Sequence, residues 1–407
     1  MRGNTAFLRN IKENGGKSIL DTGQEREFDD QASSHTERFY VRASVGPREC
    51  KEGQVPQKMK AAVYYGAGDI RIEQVPVPVP DEGEALIRVL RSGICGTDAS
   101  EWMSGPKVFP VVHAHPHSGH VGPMIPGHEF VGEVREFRGP AAFGIGDVVV
   151  SGAGIWCGRC DRCLEGRTNL CASYRTLGLN MNGGMAEYVV CPVKALRAVP
   201  SGMNIDAAGL AQPLAVGIHA ARRSGAGRGD RVVVIGAGAI GSFVLAGLKH
   251  LRDLDVTVVD FPGRKLERAA RLGADRTIEA GERLTDTVVA ILGGKPDVVI
   301  EASGAPGQLA VALKLVRDGG RVLAVGIPKG HPELDVHSMV FREVTLETTL
   351  AHICDEDLDA SLRILSQGVL AAELAETPRP LEDLGVALDQ LASGRVEGKI
   401  LITPSFG

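Results

Sequence analysis

No stretch of this chain approaches the roughly 20 consecutive apolar residues that a membrane-spanning helix needs, and its first residues lack the apolar core of a secretory signal. Both absences predict a cytoplasmic protein. The formal net charge is -5 and no basic run stands out, so nothing here would attract a phosphate backbone and nucleic acid is not an expected partner. There is no solenoid-type repeat and no low-complexity tract. With 43% apolar and 23% charged residues over 407 positions, the chain is ordinary globular text. It is long enough for two cored domains, since single cores rarely grow past about 250 to 300 residues. A small molecule is the expected partner.

Cysteine is unevenly spent. Of eight cysteines, four fall in Cys157-Gly-Arg-Cys160-Asp-Arg-Cys163-Leu-Glu-Gly-Arg-Thr-Asn-Leu-Cys171, where two-residue gaps let one loop present several thiolates to a single ion. The spacing predicts a closed structural zinc site, with no open position for substrate, over the alternatives of disulfides or unrelated buried thiols. Cys50, Cys191 and Cys354 are expected to be free thiols. The loop points to a metal and not to an activity.

Residues 1–58 mix acidic and basic side chains without helical or strand period. They read as a disordered N-terminal extension, or as text upstream of a natural start at Met59; the many acids argue against a mitochondrial presequence. From Met59 the chain turns to short alternating or clustered apolar runs, Met59-Lys-Ala-Ala-Val-Tyr-Tyr, Ile70-Arg-Ile-Glu-Gln-Val and Ala85-Leu-Ile-Arg-Val-Leu, bounded by Pro and Gly, as in a β-rich domain. From Arg231 strands and helices alternate, with strands expected at 255–260, 297–301 and 321–326, which predicts an α/β domain with a parallel sheet covered on both faces. Helical text follows at 358–365 and 381–391, then a strand-like Lys399-Ile-Leu-Ile-Thr that returns to the first domain.

Val232-Val-Val-Ile-Gly236-Ala-Gly238-Ala-Ile-Gly241 is a GxGxxG turn between a strand and a helix. Gly236 permits the tight turn, Gly238 lets the backbone approach a pyrophosphate, and Gly241 lets helix and strand pack closely. Ala239 and Ile240 begin the helix whose free N–H groups face the phosphates. The next strand ends in Asp260, about 20 residues on, where a carboxylate accepts from the adenosine ribose diol. Asp260 argues for NAD over NADP, because a 2′-phosphate would meet a like charge; Arg264 nearby would soften that repulsion.

Cys95-Gly-Thr97-Asp98 and Gly127-His128-Glu129 each place a metal-competent side chain at a turn. Together with the four-cysteine loop, Gly183-Gly-Met-Ala-Glu-Tyr188 and the glycine turn, in this order, they resemble the zinc-dependent medium-chain dehydrogenases of the alcohol and polyol superfamily over roughly residues 59–405. The resemblance implies an α/β fold made of a GroES-like β-rich catalytic domain (59–213), a doubly wound Rossmann dinucleotide-binding domain (214–351) and a C-terminal return to the catalytic domain (352–407), with the active site between them. It implies an NAD(P)-linked dehydrogenase holding two zinc ions per chain. Cys95 and His128 would ligate the catalytic zinc, with Glu129 a direct ligand or an immediate neighbour. Gln212, in Ala211-Gln212-Pro213-Leu214, occupies a third ligand position where Glu is commoner, and would be a ligand or a water anchor. Thr97 would relay the proton from the substrate oxygen, and Asp98 would hold the far nitrogen of His128. Ser100 stands where some relatives carry a further relay histidine. An open zinc position favours the ionised form of an alcohol at neutral pH, and a nicotinamide beside it takes the hydride.

The long segment Val111-Val-His113-Ala-His115-Pro-His117-Ser-Gly-His120 is similar to the butanediol dehydrogenase branch. It is expected to be an exposed polar loop, with a third metal site as the alternative. The leading expectation is a dehydrogenase of a secondary alcohol, diol or polyol. A sugar or cyclitol dehydrogenase, which Gln212 would suit, is the rival in the same class; a non-catalytic nucleotide-binding zinc protein is the rival from another. Relatives of this family are commonly homodimers or homotetramers.

Overall fold

The computed structural model describes residues 55–251, 254–328 and 330–404. Most of the expected extension at 1–58, with Cys50, lies outside them. The first described elements are an antiparallel hairpin, β1 (Lys58–Gly66) and β2 (Asp69–Pro76). It joins the body through Ala62 N–H to Met185 and through reciprocal bonds between Tyr64 and Met124. Beyond it, β3 (Glu84–Gly93), β4 (Glu129–Phe137) and β5 (Val148–Ser151) run antiparallel. A two-residue ribbon, β6 (Gly154–Ile155) and β7 (Arg175–Thr176), flanks the four-cysteine loop, and β8 (Tyr188–Pro192) and β9 (Leu196–Ala198) complete the first run of strands.

Three helices belong to this part: α1 (Gly96–Ser104) after β3, the single turn α2 (Asp161–Leu164) inside the cysteine loop, and α3 (Ile205–Ala208). The longer α4 (Ala211–Arg223) leads on to the second sheet. There β10 (Arg231–Ile235), β11 (Asp255–Asp260), β12 (Arg276–Glu279), β13 (Val298–Glu301), β14 (Arg321–Ala324) and β15 (Thr345–Thr348) lie parallel in the order β12-β11-β10-β13-β14-β15. Val232 to Ile235 are all buried, as a strand covered on both faces requires. The covering helices are α5 (Ala239–Leu251), α6 (Arg264–Arg271), α7 (Leu284–Leu292) and α8 (Gln308–Leu315), and the short α9 (Val336–Phe341) buries none of its residues.

The order of strands reverses between β10 and β13, and in such sheets a dinucleotide lies across the carboxyl ends at the reversal. The chain then forms α10 (Cys354–Leu365), α11 (Val369–Leu374), β16 (Arg379–Pro380), α12 (Leu384–Ala392) and β17 (Leu401–Thr403). Strand β17 pairs antiparallel with β3, Leu401 opposite Gly93. The last strand therefore lies beside the residues that lead into Cys95. The two helical expectations for 358–365 and 381–391 fall on α10 and α12; α10 begins four residues earlier, at Cys354. Among the described residues no helix is long and apolar enough to cross a membrane.

Candidate active site

Cys95 sits where β3 gives way to α1, and His128 just before β4. Because β3 and β4 pair antiparallel with Gly93 opposite Glu129, the two turns fall at the same end of the sheet. Gly127 makes the approach possible. Its φ is 98°, and a side chain there would meet the Met185 backbone nitrogen at 2.8 Å and Ser92 Oγ at 2.9 Å. Gly184 N–H donates to the Gly127 carbonyl at 2.8 Å, so the Gly183-Gly184 motif is the wall against which the His128 turn is pressed. The result is a buried cluster in which Cys95, His128 and Glu129 each offer a donor atom, all within 4.8 Å of one another.

The charges around the cluster are unbalanced. Burial, with the neighbouring Glu129 carboxylate second, pushes the Cys95 thiol up. Burial likewise raises Asp98 to about 7, against the opposing influence of His128. Asp98 does not hold the far nitrogen of His128 by a hydrogen bond: its Oδ1 lies 3.9 Å from His128 Nδ1, and both atoms are buried without a partner. The reason is local, since Asp98 Oδ2 is spent on the Cys95 amide at 2.9 Å as a cap of α1. A thiol, an imidazole and a carboxylate, with neutralised or orphaned neighbours, suit a zinc ion, whose charge would reverse these upward shifts.

Other expected residues are placed as follows. Thr97 Oγ1 lies 3.9 Å from Cys95 Sγ. Ser100 is exposed and accepts from Lys107 Nζ at 2.9 Å. Gln212 is buried in the first turn of α4, a helix that packs against β4. The residue that the sequence did not single out is Lys399. It is 7% exposed; its Nζ is 2.6 Å from both Glu129 oxygens, donating to Oε1, and donates to the Ile94 carbonyl at 2.8 Å. A basic residue opening an apolar strand was its only signal.

The sulfurs of Cys157, Cys160, Cys163 and Cys171 also lie within 4.8 Å of one another, and all four are free of disulfides. Cys157 Sγ accepts from the amides of Arg159 and Cys160 at 3.4 and 3.3 Å, which bring its thiol down to about 6. Such N–H···S bonds favour thiolates, the form that binds zinc. The histidine loop forms no comparable group: among the described residues, these two clusters are the ones that bring three or more His, Cys, Asp or Glu donors together. His115 instead packs edge-on against His117 at 5.8 Å, and Ser118 Oγ donates to the Asn180 carbonyl at 2.6 Å.

The glycine turn has the shape a dinucleotide needs. Gly236 has φ 103°, a side chain on Gly241 would run into the Gly236 carbonyl, and one on Gly238 would meet open space. That open space, before the first amides of α5 at Ala239 and Ile240, fits a pyrophosphate. Asp260 Oδ2 accepts from the Ala237 amide at 2.6 Å and Oδ1 from the Phe261 amide at 2.7 Å. Arg264 is exposed and lies 3.4 Å from the Glu397 carboxylate.

Two family models match, "Alcohol dehydrogenase GroES-like domain" over residues 81–201 and "Zinc-binding dehydrogenase" over 239–367. The erythritol/L-threitol dehydrogenase of Mycolicibacterium smegmatis is 33% identical over 362 residues, covering 86% of this chain and 99% of that one. The chain belongs to the zinc-dependent medium-chain dehydrogenases, in their alcohol and polyol branch. This dehydrogenase also superimposes on the 2R,3R-butanediol dehydrogenase of Bacillus subtilis with a TM-score of 0.78 and 29% identity, over 85% of this chain and all of that one. A Sinorhizobium meliloti protein proposed to be a zinc-binding dehydrogenase, solved bound to NADP, matches with a TM-score of 0.71 and 27% identity over 85% and 99%. An alcohol or polyol dehydrogenase of this kind works with zinc and a nicotinamide cofactor.

Proposed function

We propose that this dehydrogenase oxidises the secondary hydroxyl of a small vicinal diol or polyol to the ketone, with NAD as hydride acceptor and two zinc ions per chain. The observation that carries the reading is the buried meeting of Cys95, His128 and Glu129. Four-carbon diols and tetritols head the substrate list, because butanediol and erythritol or threitol are what the relatives above are named for. Bound zinc polarises an alcohol oxygen as a Lewis acid, and bound nicotinamide accepts the hydride.

Cys95 and His128 hold the catalytic ion, while Lys399 fixes and neutralises Glu129 beside it. Gln212 completes the set as a neutral ligand or through a water. Asp98 keeps Cys95 in place through the amide cap, with its other oxygen 3.9 Å from His128 Nδ1. The Thr97 hydroxyl takes the proton from the substrate oxygen and passes it to solvent or ribose hydroxyls, Ser100 being committed to Lys107. The four-cysteine loop holds the second ion as a structural clip.

Asp260 repels a 2′-phosphate, and Arg264 is turned to Glu397, so NAD is favoured over NADP. The catalytic domain comprises 59–213 and 352–407, and the cofactor domain 214–351. A homodimer or homotetramer is favoured by α9, where Val340 and Phe341 are 68% and 78% exposed next to the open edge strand β15. We place the protein in the cytoplasm. Gln212 also leaves a sugar or cyclitol as the second substrate class. The test is NADH production at 340 nm across 2,3-butanediol stereoisomers, erythritol, threitol, sorbitol, glucose and myo-inositol, with Cys95→Ser as the control. Turnover of a diol or tetritol that vanishes in the control is expected. Two zinc ions and NAD binding with no turnover on any compound would overturn the reading.

A further inference from the structure

The cofactor turn is held from behind by a buried cation that nothing in the glycine pattern foretells. Arg268, on the inner side of α6, is 5% exposed. Its Nη2 donates to the Ala237 carbonyl at 2.9 Å, and its Nη1 to the Glu397 carbonyl at 2.6 Å. Ala237 is the residue between the first two glycines, and its N–H already donates to Asp260. Both peptide groups of that residue are therefore fixed by charged side chains of the β11–α6 unit. The same guanidinium reaches the segment whose Lys399, two residues past Glu397, grips Glu129.

The guanidinium is not balanced by an acid. Among the described residues no carboxylate lies within ion-pair distance of it. Glu397 is turned to Arg264 and Glu373 to Arg271, and Arg268 Nε is buried with no partner at all. Burial lowers its pKa, with the two glutamates opposing from a distance. A desolvated, unpaired cation is costly unless a counter-charge arrives. Beside Ala237 and Gly238, where Asp260 already takes the Ala237 amide, the further anion due is the dinucleotide pyrophosphate, at the N-terminus of α5.

We infer that Arg268 is a positioning residue that shapes the glycine turn and supplies the buried positive charge answering the cofactor pyrophosphate, while tying that turn to the strand carrying Lys399. The pyrophosphate is common to NAD and NADP, so the inference stands whichever alcohol is oxidised and whichever cofactor is preferred.

The test compares the whole enzyme with Arg268→Gln, which keeps an amide donor for the carbonyls but removes the charge, and Arg268→Lys, which keeps the charge. NADH and ADP-ribose affinities are measured by fluorescence and calorimetry, with zinc per chain and Tm recorded alongside. Arg268→Gln is expected to bind both ligands about tenfold more weakly, and Arg268→Lys to stay within about threefold of wild type, zinc content unchanged. A purely structural role would lower Tm and leave both affinities where they were. Affinities of Arg268→Gln within twofold of wild type, or a Lys variant as weak as the Gln variant, would overturn the inference.

Discussion

The four-cysteine loop takes all its sulfurs from one short segment, whereas the Cys95, His128 and Glu129 cluster takes its donors from two turns that only sheet pairing brings together. In the loop, three of the four sulfurs are satisfied locally: backbone amides of Arg159 and Cys160 point at Cys157, those of Cys157 and Ser173 at Cys171, and that of Ala172 at Cys160, while burial pushes the Cys163 thiol up to about 12. In the cluster, satisfaction is incomplete. Asp98 Oδ1 and His128 Nδ1 are orphaned, and a buried lysine pairs with the one carboxylate. A closed and satisfied site stabilises, while a buried site with atoms left over can still accept a reacting group. On the function proposed above, the contrast separates holding a loop from doing chemistry.

The largest expected effects would break this contrast if it is false. Cys95→Ser should lower kcat/KM by about 1,000-fold or more, because the Lewis acid is worth several kcal/mol, with Tm nearly unchanged. Cys160→Ser should instead lose one zinc and several kcal/mol of stability, seen as a Tm fall of many degrees. Lys399→Met comes next. Freeing Glu129 beside the metal should cost about 10 to 100-fold in activity or in zinc affinity, measured by turnover and by chelator competition.

A smaller effect belongs to the link between the loop and the cofactor domain. Asn169, two residues before Cys171, donates to the Leu350 carbonyl at 2.8 Å and lies 3.4 Å from His219 Nε2. Asn169→Ala should cost about 1 kcal/mol by removing this hydrogen bond of a buried side chain, with zinc content and kcat kept. The smallest lies away from both clusters and gives them a baseline. Burial pulls the Asp297 carboxyl upward, but the Arg231 amide and the Arg317 and Arg231 guanidiniums outweigh it and leave it at about 2. Its folded value is below the ordinary 3.9, so its contribution is present above about pH 4 and disappears as pH falls through about 2. At neutral pH, Asp297→Asn should cost about 1 kcal/mol after solvent screening, and denaturation curves of the two proteins should converge near pH 2.

What could be read from the sequence followed the same divide. The four cysteines and the glycine turn with Asp260 are local patterns, so spacing alone carried them. Cys95 and His128 were readable as a pair only through a resemblance, because what unites them is the register of β3 on β4. Lys399 was invisible for the same reason, since only the pairing of β17 with β3 delivers it to Glu129. Asp98 was read as the partner of His128; one of its oxygens caps the start of α1 and the other faces His128 Nδ1 at 3.9 Å, beyond hydrogen-bond distance. Arg268 sits in a helix whose polar text, Arg264-Lys-Leu-Glu-Arg268, looks like a solvated face, and burial there is a tertiary fact.

The most direct test of the divided roles is zinc stoichiometry by mass spectrometry on wild type and Cys95→Ser, with turnover and Tm measured on the same samples. The account predicts two zinc ions per chain falling to one, no turnover, and an unchanged Tm in the variant. One zinc in the wild type, or a Cys95→Ser protein that still turns over or that unfolds with its metal, would contradict it.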